Sequence, residues 1–366
     1  MYYPEGDPQS TPAHAKPSKK KRGWIIGGII AAVVLVGGSV AFVATGTLSS
    51  ILHPVADYSG TGTSTSVEFT IAEGDTGEVI ATNLQKAGVT KSVDAFYRLL
   101  LKTNPEPVFI PGVYTLLKEM SAQSALDALT SGKNRVTNQV VIPEGTIASK
   151  VYKLLATSTK IPEADFVAAA KNPQSFGLPA QAKTLEGYLY PATYSFSPNQ
   201  SANEILTEMT KRALDELSSL GVSAAEQWRV VTMASLVQKE SGSVADMPKV
   251  SRVFANRLAI DMPLESDATV AYGTGKTNMI ETTAAERADA SNPYNTYAHA
   301  GMLFAPICNP GADAIKAALN PAAGKWLYFV AVNFDTGETV FSETLAQHEK
   351  AVQQSQAWWQ AHPEYK

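Results

Sequence analysis

Residues 23–45 read GWIIGGIIAAVVLVGGSVAFVAT and carry no charged side chain, which limits how this chain can be organised. At about 1.5 Å per residue, a helix of this length crosses a hydrocarbon layer of about 30 Å. A helix in the core of a soluble domain would be interrupted by charged residues. A cleaved signal peptide has a shorter apolar region and no long hydrophilic tail before it. The run therefore predicts a single transmembrane helix.

The residues before this run set the expected orientation in the membrane. The tail, residues 1–22, is rich in Pro, Ser and Lys and ends in KPSKKKR. Basic segments beside a transmembrane helix stay in the cytoplasm. We therefore expect a disordered cytoplasmic tail, a membrane span at residues 23–45, a polar linker at residues 46–66 and an extracytoplasmic remainder.

The composition after the tail excludes several classes of protein. The tail holds five basic and two acidic residues, so 25 basic and 32 acidic residues remain, a net charge of −7. A nucleic-acid-binding domain normally shows the opposite balance, and no nucleic-acid partner is expected. The single cysteine, Cys308, excludes an intramolecular disulfide, and the five histidines lack metal-ligand spacing. We expect neither a metal nor another cofactor.

Two domains are expected beyond the linker. In residues 67–118, VEFTI predicts a strand, GEVIATNLQKAGV and SVDAFYRLLLK predict two short helices, and PGVYTLL predicts a returning strand. The size and the β-α-α-β order resemble a LysM module, a binder of aminosugar polymers. Residues 119–366 mix helical and strand patterns without a βα repeat and end in a strand pair and a helix. The fold class expected is therefore α+β.

One carboxylate lies on an apolar helical face in VTMASLVQKES, residues 231–241. Projection at about 100° per residue places Glu240 on the apolar side of this helix and Gln238 elsewhere. The residues that share the apolar side are Val230, Met233, Leu236 and Val237. Burial and a position in the last helical turn both predict a raised pKa for Glu240. A carboxylic acid that stays protonated near neutral pH suits a general acid in glycoside cleavage.

The alternative is a structural glutamate, since most buried carboxylates stabilise the fold and take no part in chemistry. In that case Glu240 would form an ion pair with a cation close in sequence, such as Arg252 or Arg257. The residue pattern leaves both interpretations open.

Eleven segments in sequence order share a pattern with one known family of enzymes. They are FTIAEGDTG, PGVYTL, IPEG, LEGYLYPATYSF, VTMASLVQKES, KVSRVFANRL, ESDATVAYG, YNTYAHAG with APICNPG, and LYFVAV with VFSETLAQH. From about residue 69 to the C-terminal helix, the chain resembles the endolytic murein transglycosylases, the YceG-like family. Because several long motifs occur in register, the resemblance is specific.

The resemblance implies cleavage of the β-1,4 bond between N-acetylmuramic acid and N-acetylglucosamine in peptidoglycan, without water. The glutamate that closes the family's A-S-[IL]-[IV]-x-K-E segment corresponds to Glu240. It would protonate the leaving oxygen and then accept the proton of the muramoyl C6 hydroxyl, which closes a 1,6-anhydro ring. Because this nucleophile belongs to the substrate, no second carboxylate is needed. The implied partners are glycan strands and the peptidoglycan synthases of elongation or division, with residues 119–366 as an extracytoplasmic catalytic domain.

Six further residues are expected to bind substrate: Asp267, Tyr294, Asn295, Thr296, Glu186 and Tyr188. Asp267, in ESDATVAYG, is a candidate partner of Glu240, and YNTYAHAG supplies residues for a cleft wall. LEGYLYPATYSF offers alternating aromatic residues, as a sugar-binding face would. For all six residues, a purely structural role stays open.

Two segments depart from the family pattern. Residues 301–307 read GMLFAPI where relatives commonly read G-L-P-P-G-P-I, which predicts a reshaped cleft wall. His348 matches the family in TLAQHEK, but its neighbours do not. The alternative function is therefore a membrane-anchored peptidoglycan-binding scaffold that has lost activity. Such a scaffold would bind glycan strands without releasing anhydro products.

Overall fold

The computed structural model describes residues 55–277 and 282–363. The predicted cytoplasmic tail and transmembrane helix, residues 1–22 and 23–45, lie outside these ranges, as does the first part of the predicted linker. No helix in the described ranges is long and apolar enough to cross a membrane. The described residues form a mixture of helices and short strands, so the predicted α+β class is confirmed.

The chain divides into two compact units. Of the described residues, the first unit contains 55–110 and Thr115–Asn134, and the second contains Pro111–Tyr114, 135–277 and 282–363. The boundary passes through one strand, β2 (Gly112–Leu117), which belongs partly to each unit.

The first unit follows the order β-α-α-β-α. Its elements are β1 (Ser66–Ile71), α1 (Gly77–Lys86), α2 (Val93–Lys102), β2 and α3 (Ala122–Thr130), and β1 is hydrogen-bonded to β2. Each helix begins at a hydroxyl side chain that accepts a backbone N–H of the first turn: Thr76, Ser92 and Ser121. The order agrees with the expected strand and helix pattern. The resemblance to a LysM module stays a prediction.

The second unit is larger and mainly helical. Its strands are β3 (Arg135–Val136), β4 (Asn138–Val141), β5 (Thr193–Phe196), β6 (Tyr328–Asn333) and β7 (Glu338–Ser342). Its helices are α4 (Ala148–Thr159), α5 (Glu163–Ala169), α6 (Ala202–Ser219), α7 (Gln227–Glu240), α8 (Met247–Ala259), α9 (Asp267–Gly273), α10 (Ala284–Ala288), α11 (Ala312–Leu319) and α12 (Leu345–Ala361). A short 3₁₀ helix covers Pro173–Phe176.

The segment RVTNQVVIP forms two short strands, because the chain interrupts its extended run after Val136. Strand β3 pairs antiparallel with β2, whereas β4 pairs antiparallel with β5. The expected strand pair near the C-terminus is present as β6 and β7, which are antiparallel around Asp335-Thr336-Gly337.

Helix α7 lies in the core of the second unit. Residues 230–237 are all buried, and α8, α9 and α11 pack against the helix. The prediction of a one-sided apolar stripe is therefore wrong, because a helix enclosed by other elements is buried on every side. Its two buried hydroxyls bond within the helix, Thr232 to the carbonyl of Trp228 at 2.7 Å and Ser235 to that of Thr232 at 2.8 Å. The last turn leaves the core and keeps exposed surface on Gln238, Lys239 and Glu240.

Candidate active site

A cleft of about 650 Å³ opens beside the C-terminal end of α7. Its lining comes from the residue before α4, helices α7 and α8, the loop before α9, α9 and the loop after it, the loop before α11, strand β6 and the first turn of α12. Five charged residues line it: Glu240, Glu265, Asp267, Lys239 and Arg257. Apolar and aromatic side chains, such as Phe254 and Ile307, complete the walls. A cleft that combines apolar surface with a few convergent polar groups is typical of a ligand site.

Glu240 is the last residue of α7 and lines this cleft. Its Oε1 accepts a hydrogen bond from the hydroxyl of Ser266, and its carboxyl group also accepts the backbone N–H of Ala268. Both donors belong to the start of α9, and Ser266 is 26 residues further along the chain. Glu240 keeps some exposed surface, while its carboxyl group is packed among protein atoms. The start of α9 therefore fixes the carboxyl group at the cleft.

Burial raises the pKa of Glu240 above its ordinary value of 4.5, because the charged form loses its hydration. The hydrogen bond from Ser266 lowers this pKa, and the negative charge of Asp267 raises it. The N–H of Ala268 and the cation of Lys239 lower it further. Burial is the largest of these effects, and the net direction is upward. The raised pKa of Glu240 agrees with the expectation from the sequence. The two hydrogen-bond donors at the start of α9, which lower this pKa, could not be predicted from the sequence.

Among the described residues, Glu240 forms no ion pair, although two arginines are close in sequence. Arg257 pairs with Glu265, with 3.0 Å between NH1 and Oε2, and its Nε donates to the carbonyl of Leu327 at 2.7 Å. Arg252 donates to two carbonyls in the loop after α11. The structural ion pair considered from the sequence is therefore not formed. The carboxyl group of Glu240 can gain and lose a proton at the cleft without breaking such a pair.

Asp267 is the first residue of α9 and lines the cleft beside Glu240. Its Oδ1 accepts the hydroxyls of Tyr297, at 3.2 Å, and of Thr282, and NH1 of Arg287 lies 3.5 Å from it. These partners hold the carboxylate in place. The structure thus brings Asp267 and Glu240 into one cleft, where the charge of Asp267 raises the pKa of Glu240.

The three residues expected from YNTYAHAG lie behind the cleft and do not line it. The hydroxyl of the buried Thr296 accepts the backbone N–H of Ser266 at 2.9 Å. Asn295 is also buried, and its side-chain amide donates to three carbonyls in and after α10. Tyr294 packs edge-on against Tyr272, with 4.8 Å between the ring centroids. All three therefore support the cleft wall from behind, and their role in binding substrate stays a prediction.

Glu186 and Tyr188 lie in the core, with 3% and 0% of their surface exposed, and neither lines the cleft. Alternating residues share one face only in an extended segment. Residues 184–189 form turns and bends instead, and β5 starts at Thr193. The aromatic side chains of LEGYLYPATYSF therefore do not form the expected sugar-binding face. Glu186 still reaches the cleft indirectly, because it accepts a hydrogen bond from Tyr272, which lines the cleft.

Ser266, Tyr272 and Tyr297 are among the lining residues that were not singled out from the sequence. All three lie inside the motifs ESDATVAYG and YNTYAHAG, so the motifs contain the signal. Ser266 occupies the N-cap position of α9, yet its side chain makes no cap hydrogen bond and bonds Glu240 instead. The bond to Glu240 forms because the end of α7 lies beside Ser266 in the fold, and the local sequence around Ser266 does not show this contact.

The segment GMLFAPI contributes Ile307 to the cleft. The backbone N–H of Ile307 donates to the hydroxyl of Ser235 in α7 at 3.1 Å. Phe304 is 60% exposed and packs edge-on against Tyr294, with 5.4 Å between the ring centroids. The segment that departs from the family pattern therefore forms part of the cleft wall.

Comparisons with known proteins agree with the resemblance seen in the sequence. The family model described as YceG-like family matches residues 69–354. A Bacillus subtilis (strain 168) protein named endolytic murein transglycosylase is 32% identical over 322 residues, which cover 82% of this chain and 87% of that protein. A Streptococcus pneumoniae (strain ATCC BAA-255 / R6) protein of the same name is 31% identical over 318 residues, 77% of this chain and 57% of that protein.

A solved structure is similar as well. The crystal structure of a YceG-like protein from Listeria monocytogenes is 31% identical in sequence, with a TM-score of 0.51, and the match covers 79% of this chain and 99% of that chain. An α+β fold that places one carboxyl group without an ion pair in a cleft defines a class of candidate acid–base enzymes. Within that class, the chain belongs to the YceG-like family.

Proposed function

We propose that this chain is a lytic murein transglycosylase, an enzyme that acts on peptidoglycan. Family membership and the names of the relatives support an enzyme of this kind. The single observation that carries the proposal is the carboxyl group of Glu240, which lines the cleft with a raised pKa and without an ion pair among the described residues. A group with these properties can hold a proton near neutral pH and give it to a substrate.

In the first step Glu240 acts as a general acid. The glycan strand binds with the β-1,4 bond between N-acetylmuramic acid and N-acetylglucosamine at the carboxyl group. Glu240 donates its proton to the glycosidic oxygen while the bond between that oxygen and the muramoyl C1 breaks, so the leaving sugar departs as an alcohol. The carboxylate of Asp267 stabilises the positive charge that develops on the muramoyl ring.

In the second step the carboxylate of Glu240 acts as a base. It accepts the proton of the C6 hydroxyl of the same muramoyl residue, whose oxygen forms the bond to C1 and closes a 1,6-anhydro ring. The hydroxyl of Ser266 and the N–H of Ala268 stabilise the carboxylate between the two steps. Glu240 ends the cycle protonated, and no water is consumed. Because the nucleophile is part of the substrate, one acid–base residue serves both steps.

We further propose where the enzyme works. A transmembrane helix at residues 23–45 anchors it in the cell membrane, residues 1–22 stay in the cytoplasm, and the catalytic unit lies outside. The uncharged run and the basic tail support this arrangement. A LysM-like unit at residues 67–118 binds the glycan strand. The partners are the peptidoglycan synthases of elongation or division, which supply nascent strands for cleavage.

Product analysis tests the proposed activity. Full-length protein in detergent is incubated with purified, uncross-linked glycan strands, and the products are reduced with borohydride and identified by mass spectrometry. The proposal expects new 1,6-anhydromuramoyl ends, which resist reduction because they carry no free aldehyde. New ends that are reduced would mean hydrolysis and would contradict the mechanism. Strands that bind the protein but stay intact would mean that it is a scaffold.

A further inference from the structure

The carboxyl group of Glu186 lies behind the cleft wall and gathers hydrogen-bond donors from three parts of the fold. The backbone N–H of Ala148, at the start of α4, lies 3.0 Å from its oxygens. The side-chain amide of Asn309, in the loop before α11, lies 3.2 Å from Oε1. The hydroxyl of Tyr272, in α9, lies 2.9 Å from Oε2, and the backbone N–H of Gly187 donates as well. Every one of these contacts uses Glu186 as an acceptor.

Tyr272 connects this carboxyl group to the cleft. Tyr272 lines the cleft, while its hydroxyl bonds Glu186. The ring also meets Tyr294 edge-on at 4.8 Å between centroids. A tyrosine side chain is fixed when its backbone belongs to a helix and its hydroxyl is bonded at the far end. Glu186 therefore sets the position of a ring that a bound glycan strand would meet.

No cation forms an ion pair with Glu186 among the described residues, so its four donors replace the missing counter-charge. A glutamine would fit the same volume but would offer one oxygen and turn an NH₂ group towards donors. The arrangement is therefore specific for a carboxylate. A buried carboxylate of this kind is retained at a cost in desolvation, which calls for a role beyond filling the core.

We propose that Glu186 is a positioning residue, which acts through the hydroxyl of Tyr272 to hold the cleft wall in the shape that binds the glycan strand. The inference rests on the proposed transglycosylase function. It assigns Glu186 no contact with the substrate, in keeping with its burial.

Glu186 changes its charge near neutral pH, because burial raises its pKa to about 7. Above that pH the charged carboxylate accepts a hydrogen bond from the hydroxyl of Tyr272. Below it the carboxyl group is protonated, and its hydrogen bond with Tyr272 is weaker. Substrate binding should therefore weaken as the pH falls through about 7. The other titratable groups whose charges act on Glu186, or on which its charge acts, are Tyr152, Lys239, Tyr272, Tyr294 and Cys308. Of these, Lys239 lowers the pKa of Glu186.

The test is a double-mutant cycle on the full-length enzyme, with kcat and KM measured on glycan strands from pH 5.5 to 8.5, a range of about 1.5 units on each side of the pKa. We expect Glu186→Gln and Tyr272→Phe each to raise KM about tenfold at pH 8, with a smaller change in kcat, as for the loss of one charge-assisted hydrogen bond. The double variant should be no worse than either single variant. The rise of KM at low pH, present in the wild type, should disappear in both. Tyr194→Phe, which changes a buried ring outside the cleft whose hydroxyl donates to the carbonyl of Tyr190, is the matched control and should keep the wild-type KM.

Two results would overturn the proposal while leaving the proposed function intact. One is a wild type that forms anhydro products and a Tyr272→Phe variant with unchanged KM at every pH. The other is a double variant whose effects on KM simply multiply. If Glu186→Gln does not fold, Tyr272→Phe and its pH profile decide the question alone. A wild type that forms no anhydro product would instead contradict the proposed function itself.

Discussion

Glu186 and Glu240 both have a raised pKa, and burial is the largest cause in each case. Their surroundings differ. Glu240 lines the cleft and accepts two donors from the start of α9, whereas Glu186 lies in the core and accepts four donors. A raised pKa therefore does not by itself identify a catalytic acid. Access to the substrate separates the two residues.

Stability should fall as the pH rises through the range in which Glu186 loses its proton. The unfolded chain releases this proton near the ordinary pKa of 4.5, and the folded protein holds it until about pH 7. Between these values the folded state binds more protons, so a rise in pH lowers the free energy of unfolding, by about 3 kcal/mol for this group. Urea unfolding of the wild type and Glu186→Gln at several pH values measures the difference, since the contribution of Glu240 is common to both. Parallel pH profiles would contradict the raised pKa.

Ser266→Ala should move the alkaline limb of the pH dependence of kcat to higher pH. The hydroxyl of Ser266 stabilises the charged form of Glu240, so its loss raises the pKa of Glu240 further. The carboxylate formed between the two steps also loses a donor, and kcat at the optimum should fall about tenfold. Ser251→Ala, which removes a buried hydroxyl of α8, is the control and should leave the profile unchanged. A limb that stays in place or moves to lower pH would exclude this role for Ser266.

At the scale of elements, helix α7 shows what a sequence pattern can and cannot predict. The helical period places Glu240 at the end of a buried segment, because that position depends only on the helix itself. The same period predicts one apolar side, whereas residues 230–237 are buried on all sides. The helix is buried on its other sides as well because small residues there, such as Ala234 and Ser235, let neighbouring elements pack closely against it. Ser235, for example, accepts the N–H of Ile307 at 3.1 Å.

Ala234→Leu should therefore destabilise the second unit. Ala234 is fully buried, and α8, α9 and α11 surround the helix, so three added carbons have no space without displacement of a neighbour. Overpacking of this kind costs about 1–3 kcal/mol. Ala357→Leu, on the exposed side of α12, is the matched control and should change the free energy of unfolding by less than about 0.5 kcal/mol. Equal melting temperatures for the two variants would contradict the observed packing.

The remaining members of the site depend on contacts between elements, which the sequence shows only as motifs. The helical pattern by itself indicates Glu240, and the family motif ESDATVAYG indicates Asp267. Glu240 is the last residue of α7 and Asp267 is the first residue of α9. Ser266 could not be predicted, since its bond to Glu240 joins residues 26 positions apart. The alternation of Tyr188 with Tyr190 predicts a shared exposed face, which requires a strand. The segment forms turns instead, and Tyr188 is buried.

At the scale of the whole molecule, the sequence predicts an organisation that extends beyond the described residues. The uncharged run at residues 23–45 and the basic tail before it predict an anchored enzyme whose catalytic unit faces its polymeric substrate outside the cytoplasm. The described residues of both compact units lie after this run. Anchoring would keep the cleft near the membrane, where new strands are made.

Full-length protein should fractionate with the membrane and keep its catalytic unit outside. Protease added to intact spheroplasts should digest the chain after residue 46 and leave the tail, residues 1–22, protected. Antibodies against each end can follow the two parts on a gel. A digested tail together with a protected catalytic unit would reverse the orientation, and protein recovered in the soluble fraction would exclude the anchor.

The most direct measurement of the central claim compares anhydro-product formation by the wild type and Glu240→Gln. The account predicts that the variant folds with nearly unchanged stability, because an amide replaces a protonated carboxyl group of almost equal volume. Its rate should fall at the upper end of the range of about 10²–10⁴-fold that general acid–base catalysis supplies, since one residue serves both steps. The control is Gln238→Ala, which should keep a near-normal rate. The side chain of Gln238 does not line the cleft, and its Oε1 accepts the backbone N–H of Gly311 at 2.9 Å. A folded Glu240→Gln variant that forms anhydro products at the wild-type rate would contradict the account.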